Sequence, residues 1–222
     1  MEKRIKTLIF ALLISITQLY AQSEGSEKIR LYLWAARDAY PEFTEEHPHD
    51  LAKQDLTSLS EYLIEGMTYG YSFDYTPSDK LRKVDEYFEL IPLNDFSKDK
   101  DNIEWDSTFW REDKIFLWVN FNRTEQMMRY YKQFSSVKNP HAVGRGKGKL
   151  SKGFAGLEEA IKNAAKDGIR EYYRKIIKNK PKQITGKLLI RSVPAIYVDK
   201  GNYVVQLDFF LETSKIKEYS QF

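Results

Sequence analysis

Residues 141–168 read HAVGRGKGKLSKGFAGLEEAIKNAAKDG, and how this run is divided decides the fold. The first part carries glycine at 144, 146, 148 and 153, with Arg145, Lys147 and Lys149 between them and almost no large apolar side chain. Together with the Ser- and Pro-bearing residues before it, this makes 135–153 an expected linker. The second part is helical. Leu157, Ala160, Ile161, Ala164, Ala165, Gly168, Ile169, Tyr172, Tyr173, Ile176 and Ile177 recur with helical spacing. Ala160, Ala164 and Gly168 set a stripe of small side chains, which lets such a helix lie close to a sheet or another helix. Pro181 ends the pattern.

Working outward, Ile184–Val193 and Asn202–Glu212 read as strands joined through Asp199, Lys200 and Gly201. On the N-terminal side, Ile29, Leu31 and Leu33 alternate, but Trp34, Ala35, Ala36 and Ala39 favour a short helix ending before Pro41. A second helix fits Leu51–Glu65, with Leu56, Leu59, Tyr62 and Leu63 inward and Gly66 ending it. The period then becomes two. Met67, Tyr69, Tyr71, Phe73 and Tyr75 share one face of a strand. Tyr87–Leu93 is a further strand and Asn94–Asn102 a polar loop. Ile103–Trp110 and Ile115–Phe121 form a hairpin, and Glu125–Phe134 a short helix.

The fold class expected is α+β, with antiparallel sheet packed by helices and a long C-terminal amphipathic helix followed by a β-hairpin. The expected organisation is a signal peptide over 1–21, an acidic aromatic-rich part over 22–134, the linker over 135–153, and a basic helix-plus-hairpin module over 154–222. The last can also pack as one domain with 22–134.

Lys3, Arg4 and Lys6 precede an apolar run from Leu8 to Ile16, followed by Gln18, Leu19, Tyr20 and Ala21. A basic start, a short apolar run and a small final residue form a secretory signal, with cleavage after Ala21. The run is too short to span a bilayer, which takes about 20 apolar residues. The expected location is therefore the periplasm or cell envelope, without a transmembrane span in the mature chain.

Of the 222 residues, 42% are hydrophobic and 30% charged, a mixture that can bury a core. Cysteine is absent, which excludes disulfide scaffolds, thiol nucleophiles, cysteine zinc sites and iron–sulfur clusters. The net charge of +3 conceals a division. Residues 22–113 hold 10 basic and 22 acidic side chains, a net of −12, whereas 114–222 hold 22 basic and 9 acidic, a net of +13. Opposed halves of this kind can dock within one molecule or join two. Residues 138–187 alone hold 14 basic and 4 acidic side chains. For an exported protein, a protein partner or an anionic envelope component suits them better than nucleic acid.

Candidate chemistry is sparse. His47 and His49 sit among Glu45, Glu46 and Asp50, but Pro48 between them suits a surface loop better than a metal site. The run from Gly144 to Lys149 lacks the phosphate-loop pattern, because Leu150 follows Lys149. Arg145, Lys147 and Lys149 remain candidates for binding an anion. Glu104 and Asp106 alternate around Trp105 and are the carboxylates a glycan hydrolase would use. Trp105, Phe109, Trp110, Phe116, Trp118 and Phe121 crowd the hairpin and put rings on both faces. Burial of both faces under helices is the favoured reading. Were one face open, Trp105, Trp110 and Trp118 would offer a stacking platform.

The leader ending Leu19-Tyr20-Ala21-Gln22, the cysteine-free aromatic strands, and the alanine-rich helix followed by a strand hairpin resemble uncharacterised exported proteins of diderm bacteria, spirochaetes in particular. The resemblance implies a structural or binding role and transfers no site residues. The function expected is that of a non-enzymatic envelope or periplasmic protein that binds, without a cofactor. The alternatives are the glycan hydrolase and a small-ligand carrier with an aromatic pocket.

Overall fold

A computed structural model describes residues 27–36 and 50–219. The expected signal peptide, the end of the first expected helix, and the His47–His49 pair lie outside the described residues.

The elements are β1 (Lys28–Ala36), α1 (Asp50–Thr68), β2 (Tyr71–Thr76), β3 (Tyr87–Pro92), a 3-10 turn (Phe96–Asn102), β4 (Ile103–Trp105), β5 (Phe109–Arg111), β6 (Lys114–Asn122), α2 (Glu125–Phe134), β7 (His141–Lys149), a 3-10 turn (Leu150–Lys152), α3 (Phe154–Ile176), β8 (Gln183–Ile190), β9 (Ala195–Asp199) and β10 (Asn202–Lys217). The fold is α+β, and every strand pair is antiparallel. A small sheet has β6 between β1 and the β4/β5 edge. A larger sheet runs β3-β2-β8-β10-β7, with β9 also paired to β10.

The expected linker contains a strand. Residues 141–149 form β7, paired along its whole length with β10. Alternation explains why glycine is needed there. Gly144, Gly146 and Gly148 point at α3, and Arg145, Lys147 and Lys149 point away. A Cβ on Gly144 would stand 2.0 Å from the carbonyl oxygen of Ala164, one on Gly146 2.1 Å from that of Ala160, and one on Gly148 1.9 Å from that of Gly156. The helix answers with its own small residues, Gly156, Ala160, Ala164 and Gly168, all buried. The two periods nearly match. Two strand residues advance about 6.7 Å, and four helical residues advance about 6 Å. Each glycine therefore meets the next small residue, and backbone lies against backbone. The stripe read from the sequence does lie close to a sheet, and the glycines of the expected linker are its other half.

Among the described residues, β7 has one edge without a strand neighbour, and α3 covers part of it. Asp167 accepts from the Arg145 N–H at 3.1 Å, and Asn163 donates to the Lys147 carbonyl at 2.9 Å. Occupied edge groups are less free to pair with a foreign strand.

β1 is a strand where a helix was expected. Ile29, Leu31, Leu33 and Ala35 are buried, and β1 pairs with β6 throughout. The period-two alternation prevailed over the alanine content because the buried face had a partner sheet. α1 also runs past Gly66. Gly66 stays helical, and close packing accounts for the glycine, because a Cβ there would meet the side chains of Ile190 and Tyr71 at 2.6–2.7 Å. Gly70, at φ +77°, ends the helix in the left-handed region and donates to the Glu65 carbonyl at 3.1 Å. Met67 and Tyr69 consequently do not belong to β2, whereas Tyr71, Phe73 and Tyr75 are its buried face. A two-residue turn at Lys200 and Gly201, φ +50° and +72°, joins β9 to β10.

α1 packs against β1 and β6 of the small sheet and against β8 of the large one. Gly66 of α1 faces Ile190, Gly168 of α3 faces Phe209, and Ile190 and Phe209 are register partners. Both helices therefore cover the same face of the large sheet. One buried cluster runs from Ile29 through Leu63, Phe121, Ile161 and Ile184 to Leu211, so the acidic and basic parts share a core. On the other face, α2 places Tyr131 and Phe134 over Leu189 and Phe210. Arg123 ties these parts together. It is buried, donates to the Met67 carbonyl at 2.7 Å near the end of α1, and lies 4.7 Å from the Tyr131 ring centroid. Burial lowers its pKa to about 10, so it stays charged at neutral pH.

Gly146→Ala should cost about 3 kcal/mol, because the added methyl must separate strand from helix. Lys147→Ala, on the outward side, should change stability by no more than about 0.5 kcal/mol. Urea unfolding midpoints test the contrast, and equal midpoints would disprove the close approach.

Candidate functional site

The small sheet has one buried and one open face. Ile115, Leu117, Val119 and Phe121 of β6 join the β1 residues in the core. The alternate residues face outward; Trp34 among them packs back against the core, and four other aromatics stand on the open face: Tyr32 on β1, Phe109 on β5, and Phe116 and Trp118 on β6. Strand spacing of about 4.8 Å brings such rings into contact across the sheet. Phe109 stacks on Phe116 at 5.5 Å, Phe116 on Tyr32 at 5.2 Å, and Tyr32 meets Trp118 at 4.4 Å between centroids. Tyr32 is 40% exposed, Phe109 42% and Trp118 43%. The favoured expectation that helices bury both faces of this hairpin is therefore overturned. α1 covers only the inner face. Arg30, Arg111 and Lys114 lie beside the rings, with Lys114 Nζ 4.5 Å from the Trp34 centroid.

The other sequence candidates are dispersed. Trp110 belongs to the inner side and packs against the core. Trp105 is exposed at the sheet edge, in a shallow groove with Asp106, Lys53 and Thr57. Glu104 lies on the open face opposite Asn120, held by Lys28 at 3.2 Å and Asn122 at 3.0 Å. The Lys28 hydrogen bond, followed by that from Asn122, holds its carboxyl below the usual range. Asp106 accepts from the Ser107 N–H at 2.8 Å. It lines the Trp105 groove, and Glu104 does not.

Arg145, Lys147 and Lys149 do form one row, on the open face of the large sheet. Diagonal contacts across β10 engage two of them. Arg145 donates to the Tyr197 hydroxyl, and Lys147 lies 3.4 Å from Asp199. The acidic and basic halves of the chain meet where β2 pairs with β8 in this sheet. Lys166 pairs with Glu86 at 2.9 Å, and Gln183 donates to Asp74 at 2.6 and 2.8 Å.

A carboxylate-lined pocket of about 350 Å³ lies between α1, the first 3-10 turn and the start of α3. Glu61, Glu65, Asp95 and Glu158 line it, with Lys100 bound to Glu61 at 2.5 Å. Burial, then the charge of Asp95, raises the Glu65 pKa to about 7, with Lys100 opposing and Glu61 adding. Among the described residues, no group of three or more His, Asp or Glu side chains is placed to hold a metal ion. No helix among them is long and apolar enough to cross a membrane.

Sequence reading missed Tyr32, because the alanines after it suggested a helix. The signal was present in the alternation of Ile29, Leu31 and Leu33 around it. Glu65 had no signal, since its neighbours Asp95 and Glu158 come from other elements.

The chain is thus an α+β protein whose most prominent surface feature is an open aromatic sheet face. A protein-family model matches residues 15–219, and the chain belongs to that family. It is 28% identical over 201 residues to an uncharacterized protein of Treponema pallidum (strain Nichols), a match covering 89% of this chain and 84% of the other. The resemblance to uncharacterised spirochaete proteins therefore holds. No solved structure matches the chain.

The Glu65 carboxyl titrates higher in the folded than in the unfolded chain, whose value is about 4.3. Its contribution to stability is full below that value and is lost as pH rises through about 7. Glu65→Gln should melt above the parent at pH 8, with most of the difference gone at pH 5. A melting difference independent of pH would remove this assignment.

Proposed function

We propose that this chain is an exported protein of the periplasm or cell envelope that acts by binding rather than catalysis. Its docking surface is the open face of the small sheet, and the partner is a protein. The observation that carries the reading is the row of contacting rings at Phe109, Phe116, Tyr32 and Trp118, of which Phe109, Tyr32 and Trp118 are exposed and Phe116 is half-buried between them. A contiguous exposed apolar patch rimmed by polar groups marks an interaction surface. Tyr, Trp, Phe and Arg are also the residues that dominate interface cores. Arg30, Arg111 and Lys114 supply the cationic rim and favour a partner with acidic groups around an apolar centre. The basic N-terminal segment with its apolar run supports export. The opposed charge halves support self-association as a further mode, through whatever charge the internal pairs leave over.

The hydrolytic alternative draws less support, because Glu104 is engaged on a flat face and Asp106 lies in another groove. Amide substitutions at both positions should leave turnover of a cell-wall glycan unchanged.

The binding reading is tested with Tyr32→Ala/Trp118→Ala, checked for folding by circular dichroism. The parent chain, incubated with envelope extract, should capture a defined partner that the double variant binds at least about tenfold more weakly. Salt should weaken the rim contribution and spare the ring contribution. Capture by the double variant equal to the parent, at low and high salt, would end the proposal. Self-association lost on the same substitutions would replace the foreign partner with a second copy.

A further inference from the structure

On the large sheet, a second site is built where α3 ends. A groove of about 510 Å³ lies between the last turns of α3, the residues leading into β8, and the end of β2. That volume falls in the range of about 300–1,000 Å³ that small ligands occupy. Its lining divides by chemistry. Tyr75, Tyr173, Ile184 and Pro181 are buried and make an apolar floor. Arg170, Arg174, Lys178 and Lys180 stand around it.

The charge is not cancelled locally. Among the described residues, Glu86 is the only carboxylate in the lining. It is bound by Lys166 at 2.9 Å and by the Tyr75 hydroxyl at 3.2 Å. Burial pushes the Glu86 carboxyl up, but the hydrogen bond and charge of Lys166 outweigh it, and the group sits below the usual range. Arg170 pairs with Asp167 at 2.5 Å, and Arg174 with Glu171 at 2.9 Å. Five cations, counting Lys166, thus face three carboxylates, leaving a net of +2. The excess sits on Lys178 and Lys180. Lys180 also donates to the Ser78 carbonyl at 2.6 Å, which holds the loop after α3 against the end of β2. The Arg170 Nε is buried and makes no hydrogen bond, although Glu171 Oε1 lies 3.5 Å from it.

An apolar floor under a cationic rim is complementary to one kind of molecule. We propose that this groove binds an anionic amphiphile, with its alkyl portion on Tyr75, Tyr173 and Ile177 and its anionic head among Arg170, Arg174, Lys178 and Lys180. A free anion would leave the floor unused, and a neutral amphiphile would leave the cations unpaired. This reading is independent of the aromatic face, which belongs to the small sheet.

Octyl phosphate below its micellar concentration is the probe, titrated calorimetrically into the full chain at low salt. It should bind, and octyl glucoside and inorganic phosphate should each bind at least about tenfold more weakly, since each lacks one half of the complementarity. Arg174→Ala/Lys178→Ala removes two exposed cations without touching the core and should weaken octyl phosphate by about tenfold or more. Trp118→Ala should leave it unchanged. Octyl glucoside binding as well as octyl phosphate would overturn the proposal by showing an apolar site alone. Inorganic phosphate binding equally would overturn it by showing a bare anion site. Unchanged binding by the cation variant, or loss in Trp118→Ala, would place the ligand elsewhere and overturn it too.

Discussion

The fold depends on the backbone contact between β7 and α3. Gly144, Gly146 and Gly148 bring the edge of the large sheet within van der Waals reach of the helix carbonyls, and Gly156, Ala160, Ala164 and Gly168 make room from the other side. Nothing larger fits, so the approach positions the helix along and across the strand together. The rest follows from that placement. α3 lies over β10, its Asn163 and Asp167 occupy edge groups of β7, and α1 takes the remaining width of the same sheet face.

Covering one face of the large sheet with two helices has a cost in exposure elsewhere. α1 serves both sheets from between them, so its apolar side chains, Leu56, Leu59, Leu63 and Met67 among them, all enter one core. No described helix covers the outward face of the small sheet, and four rings stand there. On the outward face of the large sheet, α2 protects Leu189 and Phe210, and charged side chains occupy much of the remainder. The molecule thus presents an aromatic open face and a charged open face, with distinct binding chemistry on each.

Legibility varied with how local the determining interaction was. Glu125–Phe134 is helical as its residues indicate, because Thr124 caps it by accepting from the Met127 N–H within one turn. Tyr87–Pro92, β6 and the body of α3 likewise follow their own periodicity. β1 and β7 did not. Alanine and glycine have weak strand preference, and only a partner surface makes a strand of them. The site showed the same division. Trp118 was a sequence candidate and stands on the open face, whereas Trp110, eight residues earlier, points into the core. The row of Arg145, Lys147 and Lys149 was visible as a pattern, but its outward direction came from the helix that excludes every side chain from the other face.

By itself, the sequence determined the α+β class, the long small-striped helix, the absence of cysteine chemistry and the opposition of charge between the two halves. These are local or additive properties, readable residue by residue. Only the tertiary structure decided that the glycine run is a strand, that the acidic and basic parts share one core, and that the rings of the small sheet remain open. Each of those rests on which surface meets which across long stretches of chain. A glycine that leaves space and a glycine that grants flexibility are the same letter until the neighbouring backbone arrives.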